Sequence, residues 1–443
     1  MYQKLPPLLL VILLCTWLSP MAQSGWQITP AGTVDRYDDI YFINADTGWA
    51  IAPYQNFTGN LGRILRTTDS GQSWEVQLDS SGLPFRSMGF FDAQTGFIGV
   101  LETGLTSADS AVMIHTDDGG QTWSPVTNLP GPRPAGGCGI FIAGDSTLYA
   151  VGRFYGPSLI YKTTDRGNSW EYWSLDSLAG GLVDAYFWTP DSGIVIGSTG
   201  PFLDSAGVIL RTYDGGQTWA RLYVTQEDER MLWKISFPSP QIGYISIQQF
   251  GNQTPQKFLK TTDGGFTWQE LPYRTNVYNA QAIGFVNDSV GWIGGNFNGA
   301  LNFVTTDGGM SWSNDIWGGR VNRIRIVNDS VIFASGREVY RWDGFPLVNL
   351  DPKIDLWNWA LHALYPNPVD QSTWITVDIP ESAAIQVGIF DLQGRMLQQG
   401  KGTSFPAGRH QIELLTGDLP DGVYLVRVKM GEVIRTNRLK VQH

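Results

Sequence analysis

An aspartate held in a polar turn between two apolar runs, such as Asp69 in LRTTDSGQSW, is a residue type that can act as an acid or a nucleophile. Nearly the same motif recurs as IHTDDGGQTW, YKTTDRGNSW, LRTYDGGQTW, LKTTDGGFTW and FVTTDGGMSW. The aligned aspartates recur every 44 to 49 residues, at Asp69, Asp118, Asp165, Asp214, Asp263 and Asp307. A catalytic group is needed once, whereas a turn support is needed in every repeat, so the pattern predicts a structural role.

Each of these turns, which we call box turns, keeps Thr, Asp, Gly and Trp at fixed offsets. The Thr and Asp side chains can bind backbone amides of a hairpin turn, and Gly supplies the positive φ that such a turn needs. The Trp is expected to begin the next strand and to pack between repeats. These residue types therefore predict a turn that every repeat needs.

A second phrase recurs along the chain, as in IYFINADTGWAIA and GFFDAQTGFIGV, and predicts two apolar strands joined by a tight turn. Seven copies occur but only six box turns, because the last unit, RIRIVNDSVIFASGREVYRWDG, stops before its own box. SGWQITPAG resembles the strands that follow the boxes, so we expect it to supply the missing strand. The sequence predicts an all-β chain: a seven-bladed β-propeller closed by an N-terminal strand, followed by a small C-terminal β-sandwich.

The six box turns resemble the Asp-box (BNR) repeat, and the phrase beside them resembles the propellers of the photosystem II assembly factor family and of sortilin-type receptors. The resemblance covers roughly residues 25–345. It implies a propeller, but related boxes occur in sialidases, xyloglucan hydrolases and non-enzymatic receptors, so it does not choose an activity.

The C-terminal segment carries three short motifs in order, YPNP (Tyr365 to Pro368), IFDLQGR (Ile389 to Arg395) and GVYLVRV (Gly422 to Val428). They closely resemble the type A C-terminal sorting domain of the type IX secretion system. The resemblance implies export across the outer membrane of a Bacteroidetes-type bacterium. It also implies two partners, the type IX secretion machinery and a sortase-like peptidase that removes the domain.

The N-terminal residues predict export as well, because Lys4 precedes an apolar run that ends in small residues near Ala22. Cys15 is expected to leave with this signal, so Cys138 alone cannot form a disulfide or a thiolate metal cluster. The net charge of -11 argues against nucleic acid and anionic membrane as partners. No segment of the mature chain is apolar enough to predict a transmembrane span.

These observations predict four segments and a secreted protein, either extracellular or on the outer-membrane surface. They are a signal peptide at 1–23, the seven-bladed Asp-box propeller at 24–345, a linker at 346–362 and the sorting domain at 363–443.

The box turns and the turns inside the second phrase should share one face of the propeller, which we call the box face. The other loops should share the opposite face, the loop face, where longer and more variable loops favour function. Tyr54, Tyr155 and Phe250 are candidate loop-face contacts for sugar or peptide. A second set of candidate residues should lie where the innermost strand of each blade begins: Asp39, Arg86, Asp184, Trp233, Lys234, Gln281 and Arg323. There these residues form either a ligand pocket or the solvated wall of the central channel.

The sequence offers little support for catalysis. Glycoside hydrolysis needs two carboxylates about 5 to 9 Å apart, and nothing pairs any two of the acids Asp39, Asp184, Glu227 and Asp228. HExxH, GxSxG and a phosphate-binding glycine loop are absent from the sequence. We therefore predict no catalytic residue, metal or cofactor, and a binding or adhesion module for a glycan or protein; a glycoside hydrolase and an assembly factor for another exported protein are the alternatives.

Overall fold

The computed structural model describes residues 25–54, 61–79, 82–101, 111–132, 136–200, 205–295, 299–343, 360–361, 364, 366–379, 382–391, 395–400, 402–406, 408–430 and 433–443. The predicted signal peptide and part of the predicted loop-face loops therefore lie outside the described residues. Contacts divide the chain into two compact units, Met1–Pro346 and Leu347–His443.

The first unit is built from strands β1 to β28. They are β1 (Trp26–Ile28), β2 (Asp39–Phe42), β3 (Gly48–Tyr54), β4 (Leu61–Thr67), β5 (Glu75–Asp79), β6 (Phe85–Phe90), β7 (Gly96–Val100), β8 (Met113–Thr116), β9 (Ser124–Pro125), β10 (Gly139–Ile142), β11 (Leu148–Gly152), β12 (Leu159–Thr163), β13 (Glu171–Ser174), β14 (Gly181–Thr189), β15 (Ser192–Ser198), β16 (Gly207–Thr212), β17 (Ala220–Val224), β18 (Arg230–Ser236), β19 (Gly243–Gln249), β20 (Gln256–Thr261), β21 (Gln269–Arg274), β22 (Ala280–Phe285), β23 (Gly291–Gly295), β24 (Leu301–Thr305), β25 (Ser313–Ile316), β26 (Arg323–Asn328), β27 (Val331–Ser335) and β28 (Val339–Trp342).

These strands form seven four-stranded antiparallel sheets, which we number as blades 1 to 7. Blades 1 to 6 take consecutive groups of four strands from β2 to β25, and blade 7 has the order β26-β27-β28-β1. The first strand of each blade contacts the first strand of the next, and β26 contacts β2. The predicted seven-bladed propeller is therefore confirmed.

The N-terminal strand closes the ring. Trp26 of β1 pairs with Trp342 of β28, and Ile28 pairs with Tyr340, in antiparallel register. β1 thus supplies the outermost strand of a blade whose other three strands come from the end of the unit. This pairing confirms the closure that the missing seventh box predicted, and it protects an edge that would otherwise be open.

The Phe and Gly spacing of the second phrase has a packing cause. Phe42 lies directly over Gly48 on the neighbouring strand, and a Cβ added to Gly48 would lie 2.6 Å from the ring. The Phe42 ring also stacks on Phe333 of blade 7, with centroids 3.9 Å apart. The same stacking on a ring of the preceding blade occurs at Phe90, Phe187 and Phe285. Glycine is needed because its missing side chain makes room for the ring that joins two blades.

Basic side chains near the ends of three third strands also join neighbouring blades. Lys162 Nζ donates to the Gly215 carbonyl in the next box turn at 2.8 Å, and Lys260 Nζ donates to Gly308 at 2.7 Å. Arg211 makes the corresponding contact between blades 4 and 5. Buried carbonyls of the box turns are thereby satisfied by charged donors.

The second unit contains β29 (Ala360–Leu361), β30 (Ser372–Ile379), β31 (Ala383–Phe390), β32 (Met396–Gln399), β33 (Thr403–Phe405), β34 (Gly408–Leu415), β35 (Gly422–Met430) and β36 (Val433–Val441). One sheet has the order β29-β30-β34, and the other has β32-β31-β35-β36 with β33 beside β31. Alternate residues such as Ile375, Val377, Ile385 and Val426 are buried in one core. The predicted C-terminal β-sandwich is therefore confirmed.

Candidate functional site

The box-turn aspartates are engaged within their own turns. The Thr67 hydroxyl donates to Asp69 Oδ1 at 2.8 Å and accepts the Gly71 N–H at 2.9 Å. Asp69 also accepts the Ser73 N–H at 2.9 Å and the Ser73 hydroxyl at 2.5 Å. Hydrogen bonds from Ser73 and Thr67 lower the pKa of Asp69 below its usual value. An acid that is ionised and held in this way does not donate a proton near neutral pH.

The other five boxes repeat this arrangement, with a Thr hydroxyl donating to the Asp at 2.7 to 2.9 Å. The hydrogen bonds of Thr122 lower the pKa of Asp118 to about 2. Those of Ser169 and Thr218 do the same for Asp165 and Asp214. Asp263 and Asp307 make the same turn contacts.

The candidate acids of the innermost strands converge on one guanidinium. Arg323 of β26 donates through Nη1 and Nη2 to both carboxylate oxygens of Asp184, at 2.9 and 3.0 Å. Its Nε donates to Asp39 Oδ1 at 3.0 Å. All three side chains are buried. Blades 1, 4 and 7 are thus connected across the channel by one ion cluster.

Backbone amides complete the coordination of both carboxylates. Asp39 accepts the N–H groups of Ile40 and Met88, at 2.9 and 3.0 Å, and Asp184 accepts that of Ile235 at 3.1 Å. Burial alone would raise the pKa of Asp184, but the positive charges of Arg323 and Lys234 lower it below the usual value. Both acids are therefore held by donors on all sides.

Lys234 and Gln281 lie in the same interior. Burial, reinforced by the charge of Arg323, lowers the pKa of Lys234 to about 7, although Asp184 opposes the change. Gln281 accepts from Arg36 Nη1 at 2.9 Å and donates to Gln248 at 3.2 Å. Both side chains are buried, and Gln281 is hydrogen-bonded on both sides, so neither residue belongs to a solvated channel wall.

Aromatic side chains form a cluster at the loop-face end of the channel. Trp233 packs in a small cluster with Val183, Met231, Phe154 and Phe250. Phe154 and Phe250 come from the loops between β11 and β12 and between β19 and β20, which place them at this end. The candidate Phe250 therefore contributes to packing.

Two more candidates belong to the same region. Arg86 forms a buried ion pair with Asp38 and lies 5.3 Å from the Trp233 ring. Tyr155 contacts Phe154 edge to face at 4.5 Å, and the Arg153 guanidinium lies 4.2 Å from the Tyr155 ring. The side chain of Tyr54 lies outside the described residues.

The box-face end of the channel contains a cavity of about 320 Å³, which we call the channel pocket. Asp184, Arg323 and Arg325 contribute its charged wall, and Tyr186 and Phe237 contribute aromatic wall. Pro238 and Asp329, which stand in the turns after β18 and β26, also line it and place it at the box face. The sequence favoured the loop face for a functional site, and the aromatic cluster around Trp233 lies at that face.

Arg325 is the functional candidate that the sequence analysis missed. Its side chain is 26% exposed, and its Nε donates to the Ile40 carbonyl at 3.2 Å. Its Nη2 lies 4.0 Å from Asp39, a carboxylate that already accepts a hydrogen bond from Arg323. Burial and the charge of Arg323 lower the pKa of Arg325, whose guanidinium also lies 4.8 Å from the Tyr41 ring. The signal was present, because Arg325 follows Arg323 by two residues and strand periodicity puts both on one face.

The comparisons with known proteins agree with this architecture. Residues 18–171 match the family model described as "Photosynthesis system II assembly factor YCF48", and residues 363–442 match "Secretion system C-terminal sorting domain". The class is thus a β-propeller protein with a secretion-system sorting domain, and the sorting domain indicates export. More particularly, the propeller is Ycf48-like.

Individual relatives show how far the similarity extends. Photosystem II assembly lipoprotein Ycf48 of Synechococcus sp. (strain CC9902) is 28% identical over 368 residues, which covers 76% of this chain and 96% of the relative. A solved structure described as YCF48 bound to D1 peptide has a TM-score of 0.52 at 20% identity, covering 74% of this chain and 99% of that one. A fungal alcohol oxidase of the AA5 family in complex with copper has a TM-score of 0.51 at 14% identity, covering 94% and 99%. At these identities the two structures show the shared fold alone.

The described residues show neither a metal-binding cluster nor a membrane-spanning helix. In the ranges that the structure describes, no three His, Cys, Asp or Glu side chains are grouped so that they could hold a metal ion. No helix in those ranges is long and apolar enough to cross a membrane.

Proposed function

We propose that this chain is an exported binding module that takes a polypeptide ligand at the channel pocket and performs no catalysis. The observation that carries the proposal is the channel pocket itself. It combines a partly exposed guanidinium, that of Arg325, with the aromatic walls of Tyr186 and Phe237. A concave site with apolar walls and a few convergent polar groups is the usual form of a ligand site.

The relatives favour a polypeptide over a glycan. One is named as a photosystem II assembly lipoprotein, and one solved propeller is described as bound to a D1 peptide. Arg325 can donate to a backbone carbonyl or a carboxylate of such a ligand, while the rings pack on apolar side chains. An assembly role for another exported protein is one form of this proposal.

The ion cluster counts against a glycoside hydrolase at this site. A general acid needs a raised pKa so that it carries its proton near neutral pH. Asp184 has a lowered pKa, and Arg323 separates it from Asp39. Both carboxylates are nearly fully buried and are held by Arg323 and by backbone amides.

The sorting domain also supports a proposal on how the chain is exported. We propose that the type IX machinery of a Bacteroidetes-type cell exports the chain, and that a sortase-like peptidase removes the sorting domain. Intact mass measurement of the surface protein tests this step. A mass that lacks the second unit is expected, and a surface protein that retains it would refute the removal.

Ligand selection tests the proposed function. The full chain without its signal segment is used to select from a displayed library of random dodecapeptides, in parallel with a glycan array. The proposal expects linear peptides that bind saturably and are not altered on incubation. Binding confined to glycans, or release of a cleaved product, would contradict it.

A further inference from the structure

An unusual cluster of aromatic rings surrounds Arg211 at the box face, between blades 4 and 5. The guanidinium carbon of Arg211 lies 4.7 Å from the Trp188 ring, 4.8 Å from Tyr213 and 4.3 Å from Phe266. Arg211 is buried, and its Nη1 donates to the carbonyls of Gly265 and Gly264, at 2.9 and 3.2 Å. Tyr213 and Phe266 remain 60% and 55% exposed. Each ring thus faces Arg211 on one side while much of its surface faces solvent.

The repeat itself shows that the turn does not require these two rings. The slot of Phe266 holds a glutamine or asparagine in four boxes, and in three of them its amide donates to the carbonyl of the box aspartate. The slot of Tyr213 holds Thr68, Asp117, Thr164, Thr262 and Thr306 in the other boxes. Two exposed rings in slots that are mostly polar, converging on one arginine, call for a cause outside the turn.

The rings are continuous with the channel pocket. Tyr186 and Phe237, which line the pocket, stack at 4.5 Å. Trp188 contacts both of them edge to face, at 5.2 and 5.0 Å, and also contacts Arg211. Three contacting rings therefore lead from the pocket to Arg211, and Tyr213 and Phe266 lie against the same guanidinium. We call these five rings the aromatic track.

The charges beside the outer end of the track are negative. Among the residues that the structure describes there, Asp191 and Asp214 are exposed and Asp263 is partly exposed, whereas the cations Arg211 and Lys162 are buried and bind box-turn carbonyls. The turn hydrogen bonds lower the pKa of Asp214 to about 2, so this charge is present at every physiological pH. Exposed aromatic faces next to carboxylates are the chemistry that receives lysine and arginine side chains.

We infer that the aromatic track continues the ligand site, and that Tyr213 and Phe266 receive a basic side chain of an extended polypeptide whose other end occupies the channel pocket. This inference rests on the proposed polypeptide-binding function and adds the path and the charge of the ligand. Two points favour a basic polypeptide over a neutral glycan, namely the continuity with the pocket and the acidic surroundings.

The test uses peptides that the full chain selects from the random dodecapeptide library, with dissociation constants measured by calorimetry. The double variant Tyr213→Thr/Phe266→Gln carries residues that other boxes use, so it should keep its fold, and thermal unfolding checks this. Its dissociation constant should rise about tenfold. The selected peptides should be rich in Lys and Arg, and their affinity should fall with added salt.

Met310→Gln is the matched control, because Met310 fills the slot of Phe266 in the next blade and is 85% exposed. It should bind the peptides as the unsubstituted chain does. Unchanged affinity of the double variant, selection of peptides without basic residues, or a loss of affinity as large in Met310→Gln would overturn the inference. If Arg325→Gln alone weakens binding, the proposed function stands and this inference fails. If no peptide is selected or only glycans bind, both fail.

Discussion

The guanidinium of Arg323 holds both carboxylate oxygens of Asp184, at 2.9 and 3.0 Å, across 139 residues of sequence. The same group also holds Asp39, so one buried cation pairs with two buried anions from different blades. Such a cluster does little for the net free energy of folding while it is complete, but it is costly to break. It therefore fixes how three blades meet at the channel.

Replacing Arg323 should destabilise the propeller strongly. Arg323→Met leaves two buried carboxylates without their cation and should lower the free energy of unfolding by about 3 to 5 kcal/mol. Urea unfolding followed by tryptophan fluorescence measures this. Arg63→Gln is the control, because the Arg63–Asp79 pair is partly exposed and should contribute at most about 1 kcal/mol. Equal losses of unfolding free energy in the two variants would show that breaking the central cluster costs no more than breaking an exposed ion pair.

Lys234 should make the stability depend on pH. Its pKa is about 7 in the folded chain, so between pH 7 and its unfolded pKa the unfolded chain binds more protons. The free energy of unfolding should therefore rise with pH from 7 to 8.5, by up to about 1.4 kcal/mol per pH unit from this group. Below pH 7 the group is protonated in both states and its destabilisation is constant.

Comparison with Lys234→Met isolates this contribution. The difference in the free energy of unfolding between the two proteins should shrink as the pH rises from 7 to 8.5. A difference that does not change with pH would show that Lys234 keeps an ordinary pKa.

The box turns should depend on their buried threonines. Thr67→Val removes the hydroxyl that accepts the Gly71 N–H, and should lower the free energy of unfolding by about 1 to 2 kcal/mol. Asp69→Ala should lower the melting temperature while the affinity for selected peptides stays unchanged. Loss of affinity in a folded Asp69→Ala protein would assign Asp69 a role in binding.

The contact of Gly48 with Phe42 should not tolerate a methyl group. Gly48→Ala places a Cβ 2.6 Å from the ring that stacks on Phe333, and should cost about 1 to 3 kcal/mol in chemical unfolding. Gly200→Ala is the control, because its nearest contact is an ordinary 3.4 Å. An unchanged free energy of unfolding in Gly48→Ala would mean that the blades can separate slightly without losing stability.

Repeat spacing was sufficient to predict most of the fold. The box turns and the Phe and Gly of the second phrase are local devices, and each copy obeys the same packing demand as the next. Counting seven phrases against six boxes then predicted that β1 completes blade 7, and Trp26 pairs there with Trp342.

The candidate site was harder to predict, because it depends on which residues meet across the ring. The position of each first strand in the sequence identified Asp39, Asp184 and Arg323 as candidates. It did not predict that Arg323 pairs with both acids. The cluster around Trp233 at the loop-face end of the channel likewise joins side chains from separate blades. Volumes of side chains from separate blades decide this, and no single repeat encodes them.

The affinity of Arg325→Gln for library-selected dodecapeptides tests the central claim most directly. Arg341→Gln is the matched control, because Arg341 is 28% exposed and pairs with Asp343 in the last blade, away from the channel pocket. A polypeptide site at the channel pocket predicts that the dissociation constant rises about tenfold or more in Arg325→Gln and stays unchanged in Arg341→Gln. Equal affinities in a folded Arg325→Gln chain and the unsubstituted chain would contradict it.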